Sequence, residues 1–448
     1  MTNPRERIQS AFRLNLEQQR KQAKELLKSV RAGDAAALAR IIASVPDAAD
    51  KLRYGTLKLA DTQHTIAREL RFSRWAELKS HIESLDRARD AIRDHGEAPD
   101  ADLKTLHLRC GSDIQEVLKQ AGFGGDFLEE SYPFCFGPIT TGDGRLEREA
   151  AYLVDSAGKA LGVKYEGALE WRRNVERRLE ESASTYERVV LWMEHDSWDQ
   201  MALTRCLAHY ARSAQPPVLE LIDIDFFPGR WPNGEPVRFI GLGHLPEEAL
   251  RLLWDRRRLV TTTQLSLATQ AWDVLVRDDP RPLAALFRSG PSALSHLGNA
   301  LHRLLQELPS VTNGLALTES LILDIVAAEA ATAADRTTEG VSLNRLFGIL
   351  TNHRDPLPLA TDLRLLEIVE TMLTVPEPVL SRTHVDAGWR DLVAITDVGR
   401  AVLAGERDWL AFQPPPRWVG GVPIGIGHPD WRWDETIQDA KLQVTPGR

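Results

Sequence analysis

The residues best suited to do chemistry follow one short apolar run. Val189–Met193 has the composition of a buried strand, and Glu194, His195, Asp196 and Asp199 come directly after it. A parallel strand presents its last residues at the carboxyl edge of the sheet, where α/β proteins bind ligands. Histidine moves protons near neutral pH, and carboxylates act as bases or hold metal ions. We therefore predict His195, Asp196 and Asp199 as catalytic residues, although His195 could instead only tie two strands together.

Two further acids lie at the end of the next predicted strand. Asp223 and Asp225 alternate with apolar residues between Val218 and Phe227, where no helix cap is needed. Carboxyl ends of parallel strands share one edge, so we expect Asp196 to lie near this pair. Carboxylates favour Mg²⁺ or Mn²⁺ over Zn²⁺, which would call for more histidines. The predicted metal ligands are Asp196, Asp223 and Asp225, and the predicted cofactor is Mg²⁺ or Mn²⁺.

Four further positions are predicted to contact the ligand: Ser112, Asp113, Glu194 and Arg109. Ser112 and Asp113 lie in a turn that follows a predicted strand, and Arg109 lies on that strand. A strand covered on both faces rarely carries an arginine. Either one face of this strand is open, or Arg109 is buried against one of the aspartates.

Helix capping is the competing explanation for several of these side chains. Ser112 starts a capping-box pattern that places Asp113 in the favourable first turn of a helix. Asp196 and Asp199 have the spacing of an N-cap residue and an acid three positions later. Asp223 and Asp225 have no such explanation. For Ser112, Asp113, Asp196 and Asp199, the sequence leaves helix capping and ligand binding open as alternatives.

The negative sign of these residues narrows the class of ligand. Three aspartates in first helical turns would repel a bare phosphate. Gly111 stands alone, and Gly122–Gly125 follows a predicted helix instead of opening one, so there is no glycine-rich phosphate loop. The pattern suits a divalent cation, a metal-bridged phosphate or an amine-bearing ligand.

The elements that must position these residues alternate between strand and helix from residue 102 to 245. This alternation predicts an α/β domain with a mainly parallel sheet. The principal predicted elements are strands at Leu106–Cys110, Phe127–Phe136, Val189–Met193 and Val218–Phe227, and a long helical stretch at Glu147–Glu181.

The flanking regions have helical periodicity. Residues 1–95 are predicted to form a separate all-α module. Within it, the apolar pairs Leu26-Leu27 and Ile41-Ile42, separated by Arg31-Ala32-Gly33-Asp34, resemble one degenerate ankyrin helix pair. Residues 246–310 are predicted to form a helical connecting region. Residues 311–412 show three helices and a β element, the outline of a winged-helix domain. Residues 413–448 are predicted to form an ordered strap that packs through its tryptophans.

Length and charge exclude several classes of protein. A chain of 448 residues is long enough for roughly three domains. No apolar run approaches the ~18 residues that span a bilayer, and the N-terminus lacks a signal-peptide core, so we expect a cytoplasmic protein with no membrane partner. The three cysteines lack metal-binding spacing. Residues 311–410 hold 15 acidic and 8 basic side chains, which argues against DNA as a partner.

Several spaced motifs together resemble one family. They are Gly111-Ser112-Asp113, Phe136-Gly137-Pro138, Trp192-Met193-Glu194-His195-Asp196 with Asp199-Gln200, and Arg417-Trp418-Val419-Gly420-Gly421. The chain from about residue 104 to 435 is similar to the bacterial family catalogued as domain of unknown function 1835, with its unassigned C-terminal companion region. That resemblance implies an architecture and no particular reaction.

Two functions from different classes follow from these observations. The first is a small-molecule binding protein or enzyme whose acidic, metal-assisted site lies at the carboxyl edge of the sheet. The alternative is a regulatory protein without catalysis that binds a protein partner through its ankyrin-like and winged-helix-like ends.

Overall fold

The computed structural model describes residues 4–158, 161–332, 340–384 and 388–443 of the chain. Among these residues the α-helices are α1 (Pro4–Phe12), α2 (Leu16–Arg31), α3 (Ala35–Ser44), α4 (Ala48–Arg53), α5 (Leu59–Glu69), α6 (Trp75–Arg93), α7 (Gln115–Gln120), α8 (Arg145–Leu153), α9 (Tyr165–Thr185), α10 (Ser197–Arg212), α11 (Glu247–Trp254), α12 (Thr262–Leu275), α13 (Arg281–Arg288), α14 (Leu297–Leu305), α15 (Leu317–Thr332), α16 (Leu343–Ile349), α17 (Asp362–Thr374) and α18 (Asp397–Leu403).

The strands are β1 (Thr105–Arg109), β2 (Asp126–Glu129), β3 (Arg188–Glu194), β4 (Val218–Ile224), β5 (Arg258–Leu259), β6 (Val341–Ser342), β7 (Leu380–His384), β8 (Leu392–Ile395), β9 (Arg417–Val419), β10 (Val422–Ile424), β11 (Trp431–Asp434) and β12 (Asp439–Leu442). No helix in the described part of the chain is long and apolar enough to cross a membrane.

A mostly parallel five-stranded sheet carries the predicted site residues. Its strand order is β2-β1-β3-β4-β5, which places β3 in the middle. All seven residues of β3 are buried. Its run of valine, leucine, tryptophan and methionine suits a strand that is covered on both faces. The predicted α/β class is therefore confirmed.

Two predicted elements in this region differ from expectation: the strand is shorter, and the long helix is interrupted. β2 ends at Glu129, and the N–H groups of Phe134 and Phe136 donate to the carbonyls of Tyr132 (2.8 Å) and Pro133 (2.9 Å), which closes turns instead of extending the strand. The long helical stretch is divided between α8 and α9. Gly162, between them, adopts a φ of 68°, a left-handed value that an α-helix does not contain.

Residues 1–107, 111–127 and 220–258 form one compact unit. The helices α2 to α6 share an apolar core built around residues such as Ile41, Ile66 and Leu78. Glu248 at the start of α11 is buried and accepts hydrogen bonds from Arg13 (3.1 Å) and Arg89 (2.9 Å). The N-terminal helices therefore share ion pairs with a segment more than a hundred residues further along the chain.

Residues 108–110, 128–219 and 259–448 form the second compact unit. Within it, α15, β6, α16, α17, β7, β8 and α18 follow one another from residue 317 to 403. The three strands form an antiparallel sheet in the order β6-β8-β7. One apolar core that includes Ile322, Leu346, Leu365 and Val393 joins these helices to the sheet.

The C-terminal segment forms two antiparallel hairpins, β9–β10 and β11–β12. Trp431 and Trp433 are 5% and 4% exposed. The N–H of Trp433 donates to the Pro309 carbonyl (2.7 Å), and the Arg281 guanidinium lies 5.0 Å from the centre of the Trp431 ring. Both tryptophan side chains are therefore buried, and Trp433 also contacts the main chain of Pro309.

Candidate functional site

The carboxyl end of β3 leads directly into α10. Asp196 is the N-cap residue of that helix, and its carboxylate accepts a hydrogen bond from the Asp199 N–H (2.9 Å). The capping role predicted for Asp196 is therefore present. Capping engages one carboxylate oxygen, so it does not prevent the same side chain from contacting a ligand.

Three acids converge at this point. One carboxylate oxygen from each of Glu194, Asp196 and Asp199 lies within 4.8 Å of the others, a spacing that could hold a metal ion. Glu194 and Asp199 are buried, and Asp196 is half-buried. The spacing follows from local sequence: the last strand residue, the cap and the third helical residue come together because the turn between β3 and α10 is short. We call this group the acidic trio.

Arg109 at the end of β1 neutralises part of the acidic trio. It is 2% exposed, and its guanidinium donates to Glu194 Oε1 (3.1 Å) and to the Asp199 carboxylate. A third hydrogen bond runs to the carbonyl of Trp192 (3.4 Å). The sequence left two alternatives for Arg109, an open strand face or burial against an aspartate. The structure shows the second. The arginine fixes the position of two acids and lowers their mutual repulsion.

The backbone and one amide side chain complete the arrangement. The N–H of Glu194 donates to Asp199 Oδ1 (2.9 Å), and Gln200 Nε2 donates to the Glu194 carbonyl (2.7 Å). Burial raises the pKa of the Asp199 carboxyl well above its usual range; Arg109 opposes this, while Glu194 and Asp196 add to it. Without a further cation, Asp199 therefore tends to keep its proton.

His195 is half-buried next to the acidic trio, and its ring centre lies 6.3 Å from that of His296. His296 was not predicted, because the sequence between Leu283 and Leu308 has the apolar pattern of continuous helix. The signal that could have revealed it is the Gly290-Pro291 break, after which a new helix starts at Leu297. Cys135 also belongs to this neighbourhood: burial raises its thiol pKa, and Asp196 adds to the effect. It is an inert thiol.

Ser112 and Asp113 are exposed residues before α7. The capping box predicted to start at Ser112 does not form, since Ile114 is the N-cap residue of α7 and makes no side-chain cap. A Cβ built on Gly243 would lie 2.5 Å from an Asp113 carboxylate oxygen. The absence of a side chain at Gly243 is thus what makes room for Asp113.

Asp223 and Asp225 lie at the end of β4 and just after it. Asp225 is exposed and forms an ion pair with Arg71 (3.8 Å), whose guanidinium lies 4.2 Å from the centre of the Phe226 ring. Among the described residues, the group of acids that meets the metal-site spacing contains Asp196 but neither Asp223 nor Asp225. Glu194, Asp196 and Asp199 lie close together because they are close in the sequence, and not because two strands end at the same edge of the sheet.

No protein-family model matches this chain, and no curated protein sequence matches it. The geometry at the end of β3 therefore carries the functional argument.

Proposed function

We propose that this protein binds a small molecule with the help of a divalent cation, Mg²⁺ or Mn²⁺, at the acidic trio. The observation that carries the proposal is the convergence of three carboxylate oxygens within 4.8 Å at the carboxyl end of the middle strand of a mostly parallel sheet. That edge is the usual place for ligands in α/β folds. Oxygen-only coordination is what Mg²⁺ and Mn²⁺ prefer.

Charge supports the same proposal. With all three acids ionised, the trio and Arg109 together carry two negative charges, which a divalent cation would balance. Burial raises the pKa of Asp199, so the cation would take the place of a proton at a site where like charges repel. Metal affinity should therefore increase with pH as Asp199 ionises.

Within this proposal, the position of each residue at the site indicates its role. Glu194, Asp196 and Asp199 would hold the cation, and Arg109 would orient two of them. His195 would donate or accept a proton on the bound small molecule. The ligand contacts predicted for Ser112 and Asp113 and the metal ligation predicted for Asp223 and Asp225 stay predictions, and the proposal does not depend on them.

The test is a thermal-melting titration of the full chain with MgCl₂ and MnCl₂ against NaCl of equal ionic strength. A saturating ion at 100 times its Kd should stabilise the fold by about 2.7 kcal/mol. Asp196→Asn should remove most of this response. It should not lower the melting temperature in the absence of metal, because asparagine also caps helices and the substitution removes one of the repelling charges. The apparent affinity of the parent should rise with pH.

Asp34→Asn is the matched control. Asp34 is the N-cap residue of α3, and its carboxylate accepts from the Ala37 N–H (2.7 Å), but it lies outside the acidic trio. This variant should keep the full metal response. A parent protein that responds no more to Mg²⁺ or Mn²⁺ than to Na⁺, or an Asp196→Asn variant that responds like Asp34→Asn, would contradict the proposal.

A second candidate function rests on the segment from 317 to 403. Its helix and strand order, with the sheet order β6-β8-β7, favours a winged-helix-like domain. Together with the ankyrin-like helix pair, it supports a regulatory protein without catalysis that binds a protein partner through these two ends. Its acidic charge makes it a poor match for DNA. The absence of any metal response would favour this candidate over the first.

A further inference from the structure

A cavity of about 270 Å³, whose lining contains no member of the acidic trio, lies in the unit formed by residues 108–110, 128–219 and 259–448. Its wall comes from the loop at Thr140–Gly142, from the helices α8, α9 and α10, and from Trp272 on α12. Neither proposed function uses it. We call it the arginine cavity, for the side chains described next.

Positive charge dominates the wall of the arginine cavity. Arg145, Arg205 and Arg212 line it, and Glu176 is the one acid among the described residues of the lining. His209 also lines it, and burial followed by the nearby Arg205 lowers the pKa of that imidazole, which therefore stays neutral at pH 7. The side chains that line the cavity thus carry a formal charge of plus two, while the carboxylates that pair with Arg145 and Arg212, those of Glu149 and Asp273, lie outside the lining. The cavity therefore presents guanidinium groups to a ligand, and an anion is what such groups attract.

The arginines are held in place before any ligand arrives. Glu176 sits between Arg145 (2.8 Å) and Arg205 (2.5 Å), and Glu149 contacts Arg145 from its other side (2.9 Å). Side chains already fixed by carboxylates lose little conformational freedom when they bind.

The chain of ion pairs continues into the protein interior. The fully buried Arg172 donates to Glu149 (2.8 Å) and to Glu130 (2.8 Å). Alternating charges therefore anchor the wall of the cavity to the core of the unit. The arrangement is a rigid support for the two arginines, whose remaining N–H groups exceed the hydrogen bonds that Glu149 and Glu176 can accept.

The other lining groups add donors and an aromatic surface. In the described part of the chain, Thr140 Oγ1 is buried without a hydrogen-bond partner, which is costly unless a ligand or water supplies one. The ring of Trp272 lies 5.6 Å from the Arg205 guanidinium and packs edge-on against Phe134 (5.2 Å between centres). One side of the cavity is therefore apolar.

We propose that the arginine cavity binds a small phosphate-bearing molecule. A phosphate monoester presents three oxygens and close to two negative charges, which match guanidinium groups arriving from separate helices together with the Thr140 hydroxyl. A carboxylate offers only two oxygens in one plane and one charge. The non-phosphate part of the ligand would lie against Trp272, which favours a compact or ring-containing molecule.

The probes are inorganic phosphate and phenyl phosphate, titrated calorimetrically into the full chain at constant ionic strength set with NaCl. Both should bind saturably, and phenyl phosphate should bind more tightly because its ring can pack on Trp272. Thr140→Val keeps the shape of the side chain and removes the hydroxyl. Arg212→Gln changes a side chain that is 46% exposed and whose neighbour is Asp273, so it should leave the fold intact. Each variant should weaken phosphate binding about tenfold.

Arg177→Gln is the matched control. Arg177 lies on α9, is 59% exposed and pairs with Glu181 (2.9 Å), outside the cavity lining. It should bind both probes as the parent does. The proposal is overturned if neither probe binds saturably, or if Thr140→Val and Arg212→Gln both bind phosphate as tightly as Arg177→Gln. Equal affinity for phosphate and phenyl phosphate would overturn the role of Trp272.

Discussion

At the scale of single residues, three arginines show how this protein keeps charge in its interior. Each is at most 2% exposed, and each contacts two carboxylates: Arg109 with Glu194 and Asp199, Arg172 with Glu130 and Glu149, and Arg303 with Glu307 and Asp355. Removing one acid from such a group leaves a buried charge uncompensated, which typically destabilises a protein by 3–5 kcal/mol. Asn at position 196 can keep the helix cap and leaves these six ion pairs in place, which makes Asp196 a direct probe of metal binding.

His81 is the residue for which we predict the clearest effect of pH. It is buried between Phe72 (5.3 Å between ring centres) and Phe227 (5.4 Å). Burial, helped by Arg256, lowers its pKa to about 4. The unfolded chain, with a histidine pKa near 6.5, binds a proton that the folded chain does not. The folded state should therefore lose up to about 3 kcal/mol of stability as the pH falls from 6.5 to 4.

Chemical denaturation of the parent and of His81→Phe across this pH range measures the effect. The phenylalanine cannot be protonated and fits between two aromatic rings, so the variant should show a flatter decline in unfolding free energy below pH 6.5. His353→Gln, at an exposed histidine, serves as control and should follow the parent curve. Parallel pH profiles for the parent and His81→Phe would show that His81 does not titrate as predicted.

At the scale of elements, local periodicity predicted most strands of the sheet. It gave wrong element bounds where contacts between distant segments determine the conformation. Strand β3 and the strand Leu392–Ile395 have uninterrupted apolar, β-branched sequences that specify their conformation locally. The end of β2 was placed too late because Phe134 and Phe136 are buried in a loop, and burial without regular structure leaves the same apolar pattern. The two-residue strand β5 has exposed residues and no pattern to detect.

The candidate site was predictable to the same extent. Glu194, Asp196 and Asp199 converge through a short turn, so a local sequence argument was sufficient for them. Arg109 comes from a different strand, and only its unfavourable position on a covered strand indicated an acidic partner. His296 approaches His195 from a helix about a hundred residues away, and no local pattern contains that information.

Gly421 in the turn between β9 and β10 gives the prediction at this scale. A Cβ there would lie 2.6 Å from the carbonyl carbon of Val276 and 2.7 Å from the carbonyl oxygens of Leu275 and Arg277, all main-chain atoms at the end of α12. Main chain cannot move aside as a side chain can. We expect Gly421→Ala to destabilise the protein by about 1–3 kcal/mol, measured by chemical denaturation.

Gly167→Ala is the control for that substitution. Gly167 lies in the first turn of α9, and among the described residues no atom outside its own stretch of helix comes within 4 Å of the place where a Cβ would lie. Alanine should therefore stabilise the helix by about 0.5–1 kcal/mol. The two glycine-to-alanine changes should therefore have opposite signs. A neutral Gly421→Ala would mean that the hairpin can be displaced from the end of α12 without loss of packing.

At the scale of the whole molecule, each compact unit is built from segments that are far apart in the sequence. The sequence changes character near residue 95, yet residues 1–107 belong to one compact unit with 111–127 and 220–258. Composition detects a change of secondary structure, but it cannot detect which later segment a helix packs against. Three contacts join α1, α5 and α6 to residues 220–258. They are Glu69 with Arg230 (2.9 Å), Arg89 with Glu248 (2.9 Å), and Phe12 with Phe227 (6.2 Å between ring centres).

These contacts predict the result of deleting residues 1–95. Glu248 would lose both of its arginine partners, Arg230 would lose Glu69, and Phe227 would lose the aromatic rings of Phe12 and His81. Unpaired charges and exposed apolar surface at one place are each destabilising. We expect the chain starting at Gly96 to melt about 10 °C or more below the parent, or to lose a cooperative transition, in calorimetry.

Adding the separate polypeptide 1–95 provides the decisive comparison. If the loss comes from the missing contacts, the fragment should restore the melting temperature in a concentration-dependent way, because binding only to the folded state stabilises it. A fragment carrying Arg89→Leu should restore less, since Arg89 is one of the two partners of the buried Glu248. A truncated chain that melts at the parental temperature would instead mean that residues 1–95 fold as the separate module that the sequence suggests, and that the ion pairs to Glu248 and Arg230 contribute little to stability.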